Sequence, residues 1–259
     1  MEDLLQLKEK TFVVMGVANQ RSLAWGVAQS LYKAGAKVIF TYRKERSLSK
    51  LNKLLSEHNF EAELVVQCDV NNDESINQAF TEIKEKVGTI HGVVHSIAFA
   101  HGEDLKSEFI DTSRSGYAFA QDTSAYSLIA VAREAKMCLA DGSSIVTMSA
   151  LGAERALDGY KVMGVAKAAL ESSVKYLALD LGQENIRVNA ISAGPIRTLA
   201  AKGIPSFNQM LHDIEQKAPL KRNVTQEEVG DMTIVLLSSI SRGVTGEVVH
   251  VDSGYNIMG

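Results

Sequence analysis

Thr11-Phe12-Val13-Val14-Met15-Gly16-Val17-Ala18-Asn19-Gln20-Arg21-Ser22-Leu23-Ala24-Trp25-Gly26 is the stretch on which the fold turns. Thr11–Gly16 is a short apolar, β-rich run, and a helical pattern begins near Ser22, so the junction reads as strand, turn, helix. A nearly continuous apolar run suits a strand covered on both faces, which is the condition of a parallel sheet. Gly16 can supply the turn, Ser22 offers a hydroxyl donor, and the helix entered at Leu23 presents unpaired amides to an anion. These three are the candidate contacts for a pyrophosphate. The stretch departs from GxGxxG, so taken alone it is equally an unliganded helix start.

Outward from this junction the same alternation runs the length of the chain. Apolar β-rich runs recur at Lys37–Tyr42, Ala62–Cys68, His91–Ile97, Ser143–Ser149, Asn185–Ser192 and Glu247–Val251, separated by segments long enough for helical crossovers. The pattern predicts an α/β fold: one domain over residues 1–259, built on a doubly wound parallel sheet of about seven strands. Such sheets bind ligands at the carboxyl ends of the strands, where the strand order reverses. Two segments break the alternation, Phe99–Asp111 and Ala193–Leu220, and the second holds all three prolines. Within it, Phe207, Met210, Leu211 and Ile214 recur at helical spacing. Residues 198–217 therefore read as a helical flap over a substrate.

A chain of 259 residues with 46% hydrophobic content can bury one large core. Its apolar segments are cut by charge or glycine well before ~18 residues, so none reads as a membrane span. The first ten residues, Met1–Lys10, are acidic where a secretory leader starts basic, and they lack its apolar middle; a cytoplasmic protein is expected. Cys68 and Cys138 have no CxxC partners and read as buried thiols. The six histidines show no HxH or HExxH spacing, and no metal is expected. A formal charge of −4 gives no reason to expect a nucleic-acid partner.

The strand ends carry the chemistry. After the second strand, Arg43 and Lys44 occupy the place where an NAD-selective fold typically has an acid for the ribose hydroxyls. Two cations there suit an adenosine 2′-phosphate, with Ser47 as a further donor, and favour NADPH over NADH. A solvated charge run is the competing reading. Asp69, closing the third strand, can meet the adenine amino group while Val70 covers the ring's face. Ile97 and its small neighbours Ser96 and Ala98 would admit the cofactor's ribose. Tyr160 and Lys167, seven positions apart, return to nearly one helix face about 10 Å apart along the axis. Beside a nicotinamide, the phenol can donate to a developing oxyanion while the ammonium holds cofactor hydroxyls and lowers the phenol's pKa.

With those residues in place, the chain resembles the enoyl-acyl-carrier-protein reductases of bacterial type II fatty acid synthesis, a branch of the short-chain dehydrogenase/reductases with a Rossmann-like fold. The resemblance rests on Met15-Gly16-Val17-Ala18-Asn19, His95-Ser96-Ile97-Ala98-Phe99-Ala100, Val162-Met163-Gly164-Val165-Ala166-Lys167-Ala168, Arg187 through Thr198, and His250-Val251-Asp252-Ser253-Gly254. The Tyr-x6-Lys spacing marks this branch. The resemblance implies hydride transfer from NADPH to the β-carbon of a trans-2-enoyl thioester, followed by protonation at the α-carbon. It assigns the enolate oxygen to Tyr160, the nicotinamide ribose to Lys167, and the carboxamide and pyrophosphate to Ile196 and Thr198. Phe99, Ala100, Met163 and Phe207 would line the acyl channel. An acidic carrier protein would be the partner, with Lys202 a candidate docking charge. A homotetramer would form through helices expected at Thr112–Met137 and Tyr160–Gly182.

The chain departs from the family's pattern in two places. Ala150 stands where the family carries a second tyrosine, removing one donor near the thioester at a cost of about 1–3 kcal/mol if a buried hydrogen bond is lost. Lys161 follows Tyr160 and would add a cation beside the phenol. Ala150 keeps two other readings open, a related reductase acting on a different carbonyl or alkene, and a weakened NADPH-binding paralogue.

Overall fold

The computed structural model describes residues 4–198 and 207–258. Among them lie seven strands: β1 (Thr11–Met15), β2 (Lys37–Tyr42), β3 (Leu64–Gln67), β4 (Ile90–His95), β5 (Leu139–Ser149), β6 (Arg187–Ala193) and β7 (Val248–Val251). All pair in parallel, in the order β3-β2-β1-β4-β5-β6-β7. The order reverses between β1 and β4, which puts the ligand crevice at their carboxyl ends. The expected runs all appear within a few residues. The largest difference is at β5, which begins at Leu139 instead of Ser143 because the ladder to β4 shifts register between Ile90 and Gly92. Gly142, within it, sits at φ 75°.

Alternation along β1 shows why its sequence is apolar throughout. Phe12 and Val14 enter one core with Trp25 and Leu31 of α1 (Leu23–Lys33) and Leu51 of α2 (Glu45–Glu57). Val13 and Met15 enter the opposite core with Phe80 of α3 (Asp73–Lys86). Both faces are covered, so every β1 side chain is buried. After β4 come α4 (Gly102–Lys106), α5 (Arg114–Gln121) and α6 (Ser127–Ala135); α7 (Lys161–Gly182) follows β5, α8 (Phe207–Lys217) follows β6, and α9 (Gln226–Leu237) precedes β7.

The single helix expected over Thr112–Met137 is instead interrupted by a π turn at Asp122–Tyr126. Side chains from neighbouring elements pull on that turn. Asn71 Nδ2 donates to Asp122 Oδ2 and Thr123 Oγ1, while Ser124 Oγ accepts from the Phe99 amide at 3.0 Å and donates to its carbonyl at 3.2 Å. Of the expected flap, residues 207–217 form α8, with Leu211 and Ile214 buried. Residues 199–206, including Lys202, lie outside the described residues.

Among the described residues no helix is long and apolar enough to cross a membrane. Cys68 and Cys138 are buried thiols.

Candidate active site

Gly16 ends β1 with φ 98°, and a Cβ there would stand 2.0 Å from the Ser96 carbonyl oxygen. Only glycine permits this approach of the β1 and β4 ends. Ser22 is the N-cap residue of α1, yet its hydroxyl does not cap the helix; it accepts from the Ala18 and Asn19 amides at 3.0 and 3.1 Å. Its own hydrogen remains available to donate. A glycine turn closed against β4 and a helix start without a side-chain cap fit a pyrophosphate.

At the next strand end, Arg43 and Lys44 are exposed and Ser47 is half-buried. Arg43 Nε donates to Asp69 Oδ2 at 3.0 Å, while Asp69 Oδ1 accepts from the Asn71 amide. The carboxylate expected to meet adenine thus already orients the guanidinium, and in the chain by itself Val70 is part of the core. Ile97 is half-buried beside Gly16.

On the far side of the crevice, Ala98, Ala100 and Tyr160 pack against a small apolar cluster that includes Leu105, Ala120, Val162 and Met163. This wall contains two of the residues expected to meet an acyl chain. Phe99 stands apart from it, 49% exposed, with its ring edge-on to His101 and Phe119. Phe207 opens α8 and is half-buried.

Tyr160 immediately precedes α7, so the pair is not carried by one uninterrupted helix: Lys161 enters at φ 41°. The phenol ring lies on Gly152, where a Cβ would stand 2.1 Å from Tyr160 Cδ1. Burial pushes the Tyr160 pKa well up, and the charge of Glu171 pushes the same way. In the protein by itself burial and Glu171 thus keep the phenol protonated, as a proton donor. Lys167 is buried and its Nζ donates to the Met148 carbonyl at 2.5 Å. Burial brings its pKa down to about 8, against an opposing pull from Glu171.

The cation of Lys161 has partners of its own. Its Nζ donates to the Lys106 carbonyl at 3.2 Å and to that of Ser107, at the end of α4. Those carbonyls are the acceptors a helix end leaves unpaired, and binding them helps hold a left-handed lysine in place. Ala150, at the end of β5, is half-buried in extended backbone. Ile196 packs against the α1-side core, and the Thr198 amide donates to the Ile196 carbonyl at 2.7 Å.

Sequence reasoning missed Gly152 and Ser124. Nothing in a single sequence marks Gly152 as the seat of the Tyr160 ring, because the contact depends on how the turn after β5 meets α7. Ser124 sits mid-pattern in what reads as an ordinary helix.

A doubly wound sheet with a glycine turn after β1, and a Tyr–Lys pair at the entry to the long helix after β5, defines a short-chain dehydrogenase/reductase. The family model described as enoyl-(acyl carrier protein) reductase matches residues 16–256. The enoyl-[acyl-carrier-protein] reductase [NADH] of Bacillus cereus is 60% identical over 253 residues, covering 98% of this chain and 99% of the relative. The enzyme of Staphylococcus aureus named with NADPH is 57% identical, covering 98% and 99%. The crystal structure of the Bacillus cereus reductase with NADP+ and indole naphthyridinone superposes at a TM-score of 0.95, covering 98% of each chain. The chain belongs to the enoyl-acyl-carrier-protein reductase family.

Proposed function

We propose that this chain reduces trans-2-enoyl thioesters presented on an acyl carrier protein, using NADPH, with Tyr160 as oxyanion donor and Lys167 as the cation that holds the cofactor. The observation that supports this best is the seating of both groups around the end of β5: Tyr160 on Gly152, just beyond the strand, and Lys167 on Met148 within it. NADPH supplies the hydride. The phenol, kept protonated by burial, donates to the thioester oxygen as charge gathers there, where a fixed donor in a water-poor site contributes most. Lys167 offers donors to ribose hydroxyls. Ala98, Ala100 and Met163 give the acyl chain an apolar wall.

The preference for NADPH rests on Arg43 and Lys44. Asp69 engages Arg43 through Nε alone, leaving the terminal nitrogens of the guanidinium, with Lys44 and Ser47, for a 2′-phosphate. The same reading takes the exposed outer faces of α6 and α7, where Ile129, Tyr176 and Leu179 stand, as contacts between subunits of a tetramer in the cytoplasm.

The test is oxidation of reduced nicotinamide with crotonyl-CoA and with an enoyl carrier protein, comparing the parent with Tyr160→Phe and Ala150→Tyr. The parent turns over, Tyr160→Phe loses most of the rate, and Ala150→Tyr gains up to about one to two decades if the added phenol reaches the transition state. No turnover by either the parent or Ala150→Tyr overturns the proposal. A parent unaffected by Tyr160→Phe removes the assigned oxyanion donor.

A further inference from the structure

Lys167 and Glu171 stand four residues apart on α7, on one face and about 6 Å apart along the axis. Their partners on β5 are consecutive. Lys167 Nζ donates to the Met148 carbonyl at 2.5 Å, and Ser149 Oγ donates to Glu171 Oε1 at 2.5 Å. The helix thus clamps the last two residues of the strand, directly before Ala150. The polar row continues across the sheet, since Ser149 is in register with Ser192 on β6, and Ser192 with His250 on β7. Residues in register on parallel strands face the same side. At the outer end of this row, His250 Nε2 meets Glu154 Oε1 at 2.8 Å.

Glu171 is half-buried. Burial raises its pKa, the Ser149 hydrogen bond opposes that rise, and the other charges acting on it are Glu154 from the turn after β5, His250 from β7 and Lys175 from α7. Glu171 in turn acts on Lys167 and Tyr160. His95 of β4, which also feels Lys167, is fully buried between Thr147 and Ser127 and stays neutral, its pKa held down to about 3.

We propose that Glu171 is a positioning residue for the reduction: its carboxylate, held by Ser149 next to the residue that Lys167 engages, is the counter-charge of the Lys167 ammonium at the end of β5. The proposal rests on the assignment of Lys167 to the cofactor. It places a counter-charge near the cation, so that burial does not discharge the lysine at working pH.

The test tracks the lysine ε-carbons by NMR in the full chain without cofactor, with Lys167 identified by its loss in Lys167→Arg. In Glu171→Gln the Lys167 midpoint falls by roughly 0.5 to 2, the span for a unit charge at ~6 Å between effective dielectrics of ~80 and ~20. The alkaline limb of kcat/KM moves to lower pH with it. Ser149→Ala moves both in the same direction by less, and it carries the test if Glu171→Gln fails to fold. Unchanged midpoints, with rates uniformly reduced at every pH or not reduced at all, would overturn the proposal and leave Glu171 as a brace of β5. Failure of the underlying assignment reads differently: Lys167→Met would then keep cofactor affinity and rate, whatever Glu171→Gln does.

Discussion

Gly152→Ala puts the seat of the Tyr160 ring to direct test. The added Cβ would stand 2.1 Å from Tyr160 Cδ1 and 2.6 Å from Cε1, where carbon atoms rest at ~3.5–4.0 Å. Relief takes a displacement of more than ~1 Å. The turn has little room to retreat, because α7 already lies against it: a Cβ on Gly164 would be only 2.6 Å from the Gly152 carbonyl oxygen. The ring therefore moves, and a misplacement of about 1 Å costs on the order of 10²-fold in rate. Steady-state kinetics with an enoyl thioester should show kcat/KM down by roughly that factor, with KM for the reduced nicotinamide little changed. Crowding of this kind costs about 1–3 kcal/mol, so the thermal midpoint falls by a few degrees for each kcal/mol. Gly243→Ala is the control, since its Cβ meets no atom within 4 Å. A Gly152→Ala enzyme that turns over at the parent rate would refute the argument that this contact sets the phenol's position.

Arg43→Ala combined with Lys44→Ala should weaken NADPH far more than NADH in binding titrations; equal losses would contradict recognition of a 2′-phosphate. Glu228, hydrogen-bonded first of all by Arg222, has its pKa lowered from 4.5 to about 2. The native state therefore binds fewer protons than the unfolded state in that window, and the contribution is present above pH 4.5 and lost as pH falls toward 2. Glu228→Gln should lower the urea midpoint at neutral pH, and the difference should close through that range. His95, lowered by burial from 6.5 to about 3, makes the unfolded state the better proton acceptor between those values. Stability should fall on acidification across that window, and His95→Gln should flatten the fall in a pH series of thermal unfolding.

The sheet was legible because its strands carry apolar, β-rich runs, and the central ones, β1, β4 and β6, are buried on both faces, a pattern that needs no partner to be recognised. The ends of β1 and β2 were legible for a related reason: Gly16, Arg43 and Lys44 are residue types whose position after a strand carries meaning. The features that escaped the sequence depend on contacts between distant segments. Asp69 pairs with Arg43 across two strands, Lys161 reaches back to the end of α4, and the phenol's pKa is raised by burial and by Glu171. Spacing on a helix also misled slightly, since Tyr160 stands outside the helix that carries Lys167.

The π turn at Asp122–Tyr126 has a consequence for how this segment tolerates changes in length. A π turn accommodates one residue more than the α-helix around it, and each added residue rotates the downstream helix by ~100°. The chain between α5 and α6 therefore holds one residue of slack. Losing a single residue there would let the two helices run on as one in unbroken α geometry, with their flanking cores still in phase. It would also withdraw Ser124 from the Phe99 backbone, so the helix would survive while the loop after β4 lost its anchor. In this segment a deletion is more readily absorbed by the scaffold than by the site it supports.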